Sequence, residues 1–199
     1  MLSSRTLLLF LLKAIVIYGL LSAPISFYDE TYGKLYRNVA GIFFSKFRDS
    51  GFVKFKEGKQ PATTHVNVGN YALVRPDGTS RTAYVDINTR FLGYLPTILL
   101  ISLVLASPVP WKRRLIALAV GLVLVTLLVI FKQWIGLLWL CEESPWLQLT
   151  NFTVSGKKLL GSVNTIISVS ASTVLYFVVV IWLLVTFNKD DFKTIKVKK

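Results

Sequence analysis

The sequence predicts an α-helical membrane protein with four transmembrane helices and a small extracytoplasmic α+β domain, rich in β-hairpin, between the first and second. Three observations carry this. Long apolar runs occupy residues 6–27, 91–109, 115–141 and 159–187, and about 20 apolar helical residues suffice to cross a bilayer core. Of the 199 residues, 53% are hydrophobic and only 17% charged, against about 25% charged in an ordinary soluble domain. The one long polar stretch, 29–90, is large enough for a single small domain.

The first run, 6–27, is longer than the apolar core of a signal peptide, and Ala23-Pro24-Ile25 is a poor cleavage site. It is expected to stay as a signal anchor. Within the polar stretch, Leu35, Val39, Ile42, Phe43 and Phe47 recur at helical spacing over 31–49, with Lys34, Arg37, Lys46 and Arg48 on other faces. This pattern predicts an amphipathic helix that either lies on the membrane surface or packs on the outer domain.

Residues 52–87 then read as strands. Phe52–Lys56, Thr64–Val68, Tyr71–Arg75 and Arg81–Ile87 alternate or carry apolar runs, and the last two flank Pro76-Asp77-Gly78-Thr79. Proline fixes φ and glycine supplies positive φ, so this is turn chemistry. A three- or four-stranded antiparallel sheet is expected. The run 91–109 is the second span and 115–141 the third, joined by the basic turn Pro108–Arg114; 159–187 is the fourth, followed by a polar basic tail, 188–199.

Charge sets the expected orientation. Lys112, Arg113 and Arg114 lie in one short connection, five lysines lie in the tail, and Arg5 precedes the first span. The other short loop, 142–158, has Lys157 and Lys158 offset by Glu142 and Glu143. Short loops dominate the positive-inside rule, and segments near 60 residues translocate largely regardless of charge. Both termini are therefore expected in the cytoplasm and 29–90 outside, in a bacterial inner membrane.

The net charge of +13 is scattered over every extramembrane segment. No Arg/Lys stripe with interleaved aromatics forms a nucleic-acid groove, so anionic lipid headgroups are the expected partners of these cations. The single cysteine, Cys141, excludes an intrachain disulfide and a cysteine zinc site. It also sets the chain apart from four-helix animal proteins whose first outer loop is stapled by cysteine pairs.

Two cations fall inside the apolar runs, Lys13 and Lys132, and intramembrane ionisable groups are functional candidates. Both can snorkel to a nearby interface; Lys132 has Gln133 and Trp134 beside it, with Glu142 and Glu143 as available carboxylates. In the fourth run, Gly161, Thr165, Ser168 and Ser172 recur at four, three and four. Small and hydroxylated residues let helices approach closely, so this face either packs in the chain's own bundle, docks a different membrane protein, or lines a hydrophilic path.

His65 is the only histidine, and Cys141 has no His–acid neighbours in sequence. Glu142 and Glu143 are adjacent and point apart on a helix, so they form no acid–base pair. Asn151-Phe-Thr153 matches a glycosylation sequon, which carries no meaning in most bacteria. No catalytic residue, cofactor or metal site is expected.

The stretch Tyr84–Leu118 resembles the small membrane proteins that accompany bacterial exosortases. The residues that carry this are Phe91-Leu-Gly-Tyr-Leu-Pro-Thr-Ile-Leu-Leu100, Leu105-Ala-Ser-Pro108 and Trp111-Lys-Arg-Arg-Leu115. The resemblance implies an accessory role in protein sorting or export and transfers no functional residue. The expected function is a non-enzymatic subunit of an inner-membrane complex, with other integral membrane proteins as partners. The alternatives are a homo-oligomeric channel or membrane effector, with serine and threonine hydroxyls lining a pore, and an intramembrane enzyme using residues such as Lys132, Glu142 and His65.

Overall fold

The computed structural model of the chain describes residues 4–23, 26–60, 62–74, 78, 80–168 and 171–187. It is mostly helical, with one small sheet. The element order is α1 (Ser4–Leu21), α2 (Ser26–Phe44), β1 (Gly51–Glu57), β2 (Thr63–Val74), β3 (Ser80–Asn88), a π-helical turn (Arg90–Tyr94), α3 (Leu95–Ala106), α4 (Trp111–Glu143), a 3-10 turn (Pro145–Leu147), α5 (Val154–Ser168) and α6 (Ala171–Thr186). Two compact units result. One holds residues 1–23, 95–128 and 174–199, and the other 24–94 and 129–173.

Among the described residues one helix, α4, is long and apolar enough to cross a membrane, and Arg90–Ala106 and Thr173–Thr186 are shorter apolar helices. At 1.5 Å per residue α4 is about 50 Å long, well over the roughly 30 Å of a bilayer core. The first unit brings α1, α3, the leading part of α4 and α6 together. Phe10 of α1 stacks on Trp182 of α6 with centroids 5.4 Å apart. The Trp182 indole N–H donates to the Ser107 hydroxyl at 2.8 Å. Outward side chains such as Leu8, Ile15, Val123 and Leu184 stay exposed.

The second unit is built on the sheet. Its strands run in the order β1-β2-β3, all antiparallel, with a register irregularity between Gly69 and Val74 of β2. Phe55, Val66 and Val85 form one cross-strand row, and Val53, Val68 and Ala83 the next, on the same inner face. α2 lies across that face. Tyr36 and Phe44 meet the Phe55 ring with centroids 6.0 Å apart in each case, and Ala40 is wholly buried. On the outer face the Phe52 ring lies over Gly69 and meets the Tyr71 ring at a 39° tilt, with centroids 4.5 Å apart.

The elements differ from the sequence expectation in several places. The amphipathic helix starts earlier than 31 and ends at Phe44. It packs on the sheet, yet keeps Leu35, Ile42 and Phe43 exposed on its other side. α1 stops at Leu21, short of 27. The chain reads Ala23-Pro24 just beyond, and proline brings no amide N–H to continue a helix; Pro24 and Ile25 lie outside the described residues. The sheet has three strands. The turn over Pro76–Thr79 is described only at Gly78, whose φ is +78°.

In place of the expected single helix over 159–187, the described residues form two helices, α5 and α6, and the intervening 169 and 170 lie outside the described residues. The middle of this run reads Ser168-Val-Ser-Ala-Ser-Thr173. Serine and threonine hydroxyls compete for backbone groups and β-branched residues lose χ1 freedom, so the local helix preference there is weak. α5 joins the second unit, while residues from Val174 onward join the first.

Gly69 tests the outer-face packing. A Cβ there would sit 2.4 Å from the Phe52 ring, which is itself pinned by Tyr71. Gly69→Ala is expected to lower stability by about 1–3 kcal/mol, as overpacking does, read as a drop in the thermal unfolding midpoint in detergent. An unchanged midpoint would mean that Phe52 swings away freely.

Candidate functional site: an open groove between β3 and α4

A small sheet buries one face, and here that face is only partly covered. In the row Phe55–Val66–Val85, Val66 is 0% exposed while Val85 is 36% exposed. α2 covers β1 and β2; β3, one edge of the sheet, looks instead toward the C-terminal part of α4. Between them lies an open hollow of about 240 Å³ lined by Val85, Ile87, Leu92, Lys132, Gln133, Gly136, Trp139, Leu140 and Glu143.

Helical periodicity explains the α4 wall. Residues 132, 136, 139, 140 and 143 recur at three and four, so they share one face, and over their length the helix rises about 16 Å. Gly136 sits mid-way along it. A Cβ built there meets nothing within 4 Å, so the missing side chain opens the floor of the groove. The other side of α4 is packed: Leu137, Leu138 and Cys141 are buried.

Polar bonds hold the groove's walls. The Tyr36 hydroxyl of α2 donates to the Gln133 Oε1 of α4 at 3.0 Å, in a buried setting. The Asn70 side chain of β2 donates to the Leu147 carbonyl at 2.8 Å and accepts from the Ala72 N–H at 2.8 Å. Arg90, in the π-helical turn after β3, donates from its Nη1 to both carboxylate oxygens of Asp29 of α2, at 3.0 and 3.1 Å. A charge-assisted contact of this kind is stronger than a neutral hydrogen bond. Near the far end, Gly161 of α5 lies against Trp139, where a Cβ would be 3.1 Å from the indole.

Burial pushes the Tyr36 hydroxyl far above its ordinary value of 10.0, with nearby Tyr32 adding to the rise. The proton therefore stays on Tyr36 and the bond to Gln133 persists where a free tyrosine would ionise.

A second hollow, about 340 Å³, lies in the α4–α5 connection beside Cys141, Glu142, Gln148, Phe152 and Lys157. Its charges are internally matched: Glu142 pairs with Lys157, and the Arg48 guanidinium sits 5.7 Å from the Phe152 ring centre. Arg48 and Gln148 both adopt left-handed backbone, at φ 58° and 52°. Cys141 is buried. Among the described residues no group of three His, Cys, Asp or Glu side chains could cradle a metal.

The sequence candidates fall in different places. Lys132 lines the groove; Lys13 is exposed on α1. Gly161 packs against Trp139, and the Thr165 hydroxyl donates to the Gly161 carbonyl at 2.8 Å. Ser168 ends α5 and Ser172 lies in α6, and their side chains lie outside the description, as does the tail 188–199. The stripe Gly161–Thr165–Ser168–Ser172 thus spans two helices rather than one face. His65 is on the outer sheet face, its Nδ1 2.6 Å from Asp86 Oδ1. Sequence reasoning passed over Gly136 and the structural part of Gln133. The signal for Gln133 was available, a polar side chain inside an apolar run, which must find a buried partner.

Compared with protein-family models, curated proteins and solved structures, the chain matches none of them.

The Tyr36→Phe variant isolates the anchoring bond. It strips Gln133 Oε1 of its donor inside the fold, so stability is expected to fall by about 1–3 kcal/mol near neutral pH. The raised folded value makes the tyrosine's contribution complete below pH 10.0 and lost as pH rises past it, because the unfolded chain ionises first. Wild-type stability in detergent should therefore fall more steeply above that pH than that of Tyr36→Phe. Parallel curves would show that Tyr36 is not what the alkaline limb reports.

Proposed function

We propose that the chain is a non-catalytic subunit of a bacterial inner-membrane protein complex, one that holds a partner-recognition domain at the outer surface of the bilayer. The observation that carries the reading is the groove, a surface whose walls are fixed by buried hydrogen bonds and which the described residues leave unfilled. Rigid walls around an open, partly apolar floor suit recognition.

In this reading α1, Arg90–Ala106, α4 and α6 are the four spans. The clustering of α1, α3, the start of α4 and α6 in one apolar unit supports it. Residues 29–90 and α5 then lie outside, and the Lys112–Arg114 turn and both termini in the cytoplasm, as the positive-inside rule requires. The resemblance of Phe91–Leu115 to exosortase-associated proteins directs the proposal toward protein sorting or export.

Topology is testable by labelling. In a Cys141→Ser background, Lys59→Cys is expected to react with a membrane-impermeant maleimide in intact spheroplasts, and Lys112→Cys only after lysis. The reverse pattern would overturn the orientation.

Purification of the tagged chain in gentle detergent, with native mass measurement, tests the subunit reading. A different membrane protein at fixed stoichiometry is the expected result. A homogeneous homo-oligomer with nothing else bound would overturn it in favour of a self-assembled channel.

A further inference from the structure

We propose that the groove receives an extended peptide segment that adds as a fourth strand to the edge of β3, with alternate apolar side chains entering the hollow and one carboxylate meeting Lys132. This rests on the subunit reading above and names what that subunit would recognise.

Three observations fix the chemistry of the occupant. First, β3 ends the sheet, and an edge strand presents a row of backbone N–H and C=O groups outward. Groups of that kind are satisfied by another backbone in extended form, not by a lipid tail or by a helix whose own backbone is already bonded. Second, the floor beside that edge is apolar. Val85, Ile87 and Leu92 line it, and Gly136 leaves room for a side chain. In an added strand the side chains alternate between faces; those on the inner face would continue the row Phe55–Val66–Val85 over Gly136, where none of the described residues lies within 4 Å of a Cβ built there.

Third, the groove carries an unmatched cation. Lys132 lines it and forms no ion pair among the described residues. Glu143 lies at the open, exposed end of the same face, where water solvates it. A partly enclosed ammonium selects a carboxylate, so one groove-facing position of the segment is acidic.

The test uses the full-length chain in nanodiscs and fluorescent peptides of about the length of β3, 9 residues. In the principal probe valine alternates with threonine and one valine is replaced by glutamate. In the controls that glutamate is glutamine or lysine, the order is scrambled to destroy alternation, or alternate backbone amides are N-methylated. Anisotropy is expected to show the glutamate peptide binding roughly tenfold or more tighter than each control, a difference of about 1.4 kcal/mol. Gly136→Leu, which fills the open floor and favours the helix, is expected to abolish binding while leaving the thermal midpoint unlowered. Lys132→Gln is expected to erase the preference for glutamate over glutamine. On binding, hydrogen exchange at the β3 amides is expected to slow.

Absence of binding by any alternating peptide overturns the proposal. So does binding that survives N-methylation or Gly136→Leu, because the occupant would then not be a paired strand in this groove. The two readings separate cleanly. If a different membrane protein still co-purifies with Gly136→Leu, the subunit reading stands and the groove is not its site. If only homo-oligomers are recovered from native membranes, the subunit reading itself falls.

Discussion

A sheet of three strands is wider than one helix, and that mismatch organises the second unit. α2 buries Val66 and Val53 and partly covers Phe55 by lying over β1 and β2. It cannot also reach β3. The remaining apolar row has to face something else, and the C-terminal part of α4 forms the opposing wall without closing the space. Had residue 136 been leucine, the floor would be filled and the sheet's inner face would be continuous. The groove follows from one helix width and one absent side chain.

The surrounding bonds turn this gap into a defined surface. Hydrophobic contact is non-directional and would let α2 slide on the sheet. The Tyr36–Gln133 bond and the Asp29–Arg90 pair are directional and link α2 to α4 and to the turn after β3. Asn70 does the same between β2 and the turn Pro145–Leu147. A buried polar group that loses its partner is more costly than the bond was worth, so each link penalises displacement in a way that apolar packing alone would not.

Much of the fold was legible in the sequence because its signals are local. Apolar run length marked α4, and Pro-Asp-Gly with alternating flanks marked the β2–β3 hairpin. What escaped was set by tertiary geometry or by weak local preference. The stripe Gly161–Thr165–Ser168–Ser172 assumed one helix, whereas Gly161, Thr165 and Ser168 belong to α5 and Ser172 to α6. Gly136 gave no warning, since a glycine in an apolar helix reads equally as packing or as open space. Only the position of β3 distinguishes them. Gln133 was visible as a polar residue in an apolar run, but its partner 97 residues away was not.

The uncovered edge also bears on the life of the chain before assembly. Tyr84 is 68% exposed and Val85 36% exposed on β3, a strand paired with β2 on one side only, and such edges template pairing with other strands. On the reading proposed above, a copy without its occupant carries this adhesive seam uncovered. Its steady-state level would then follow that of its occupant, with the excess cleared by proteases or lost to aggregates. The seam that would favour assembly would also make an orphaned copy short-lived.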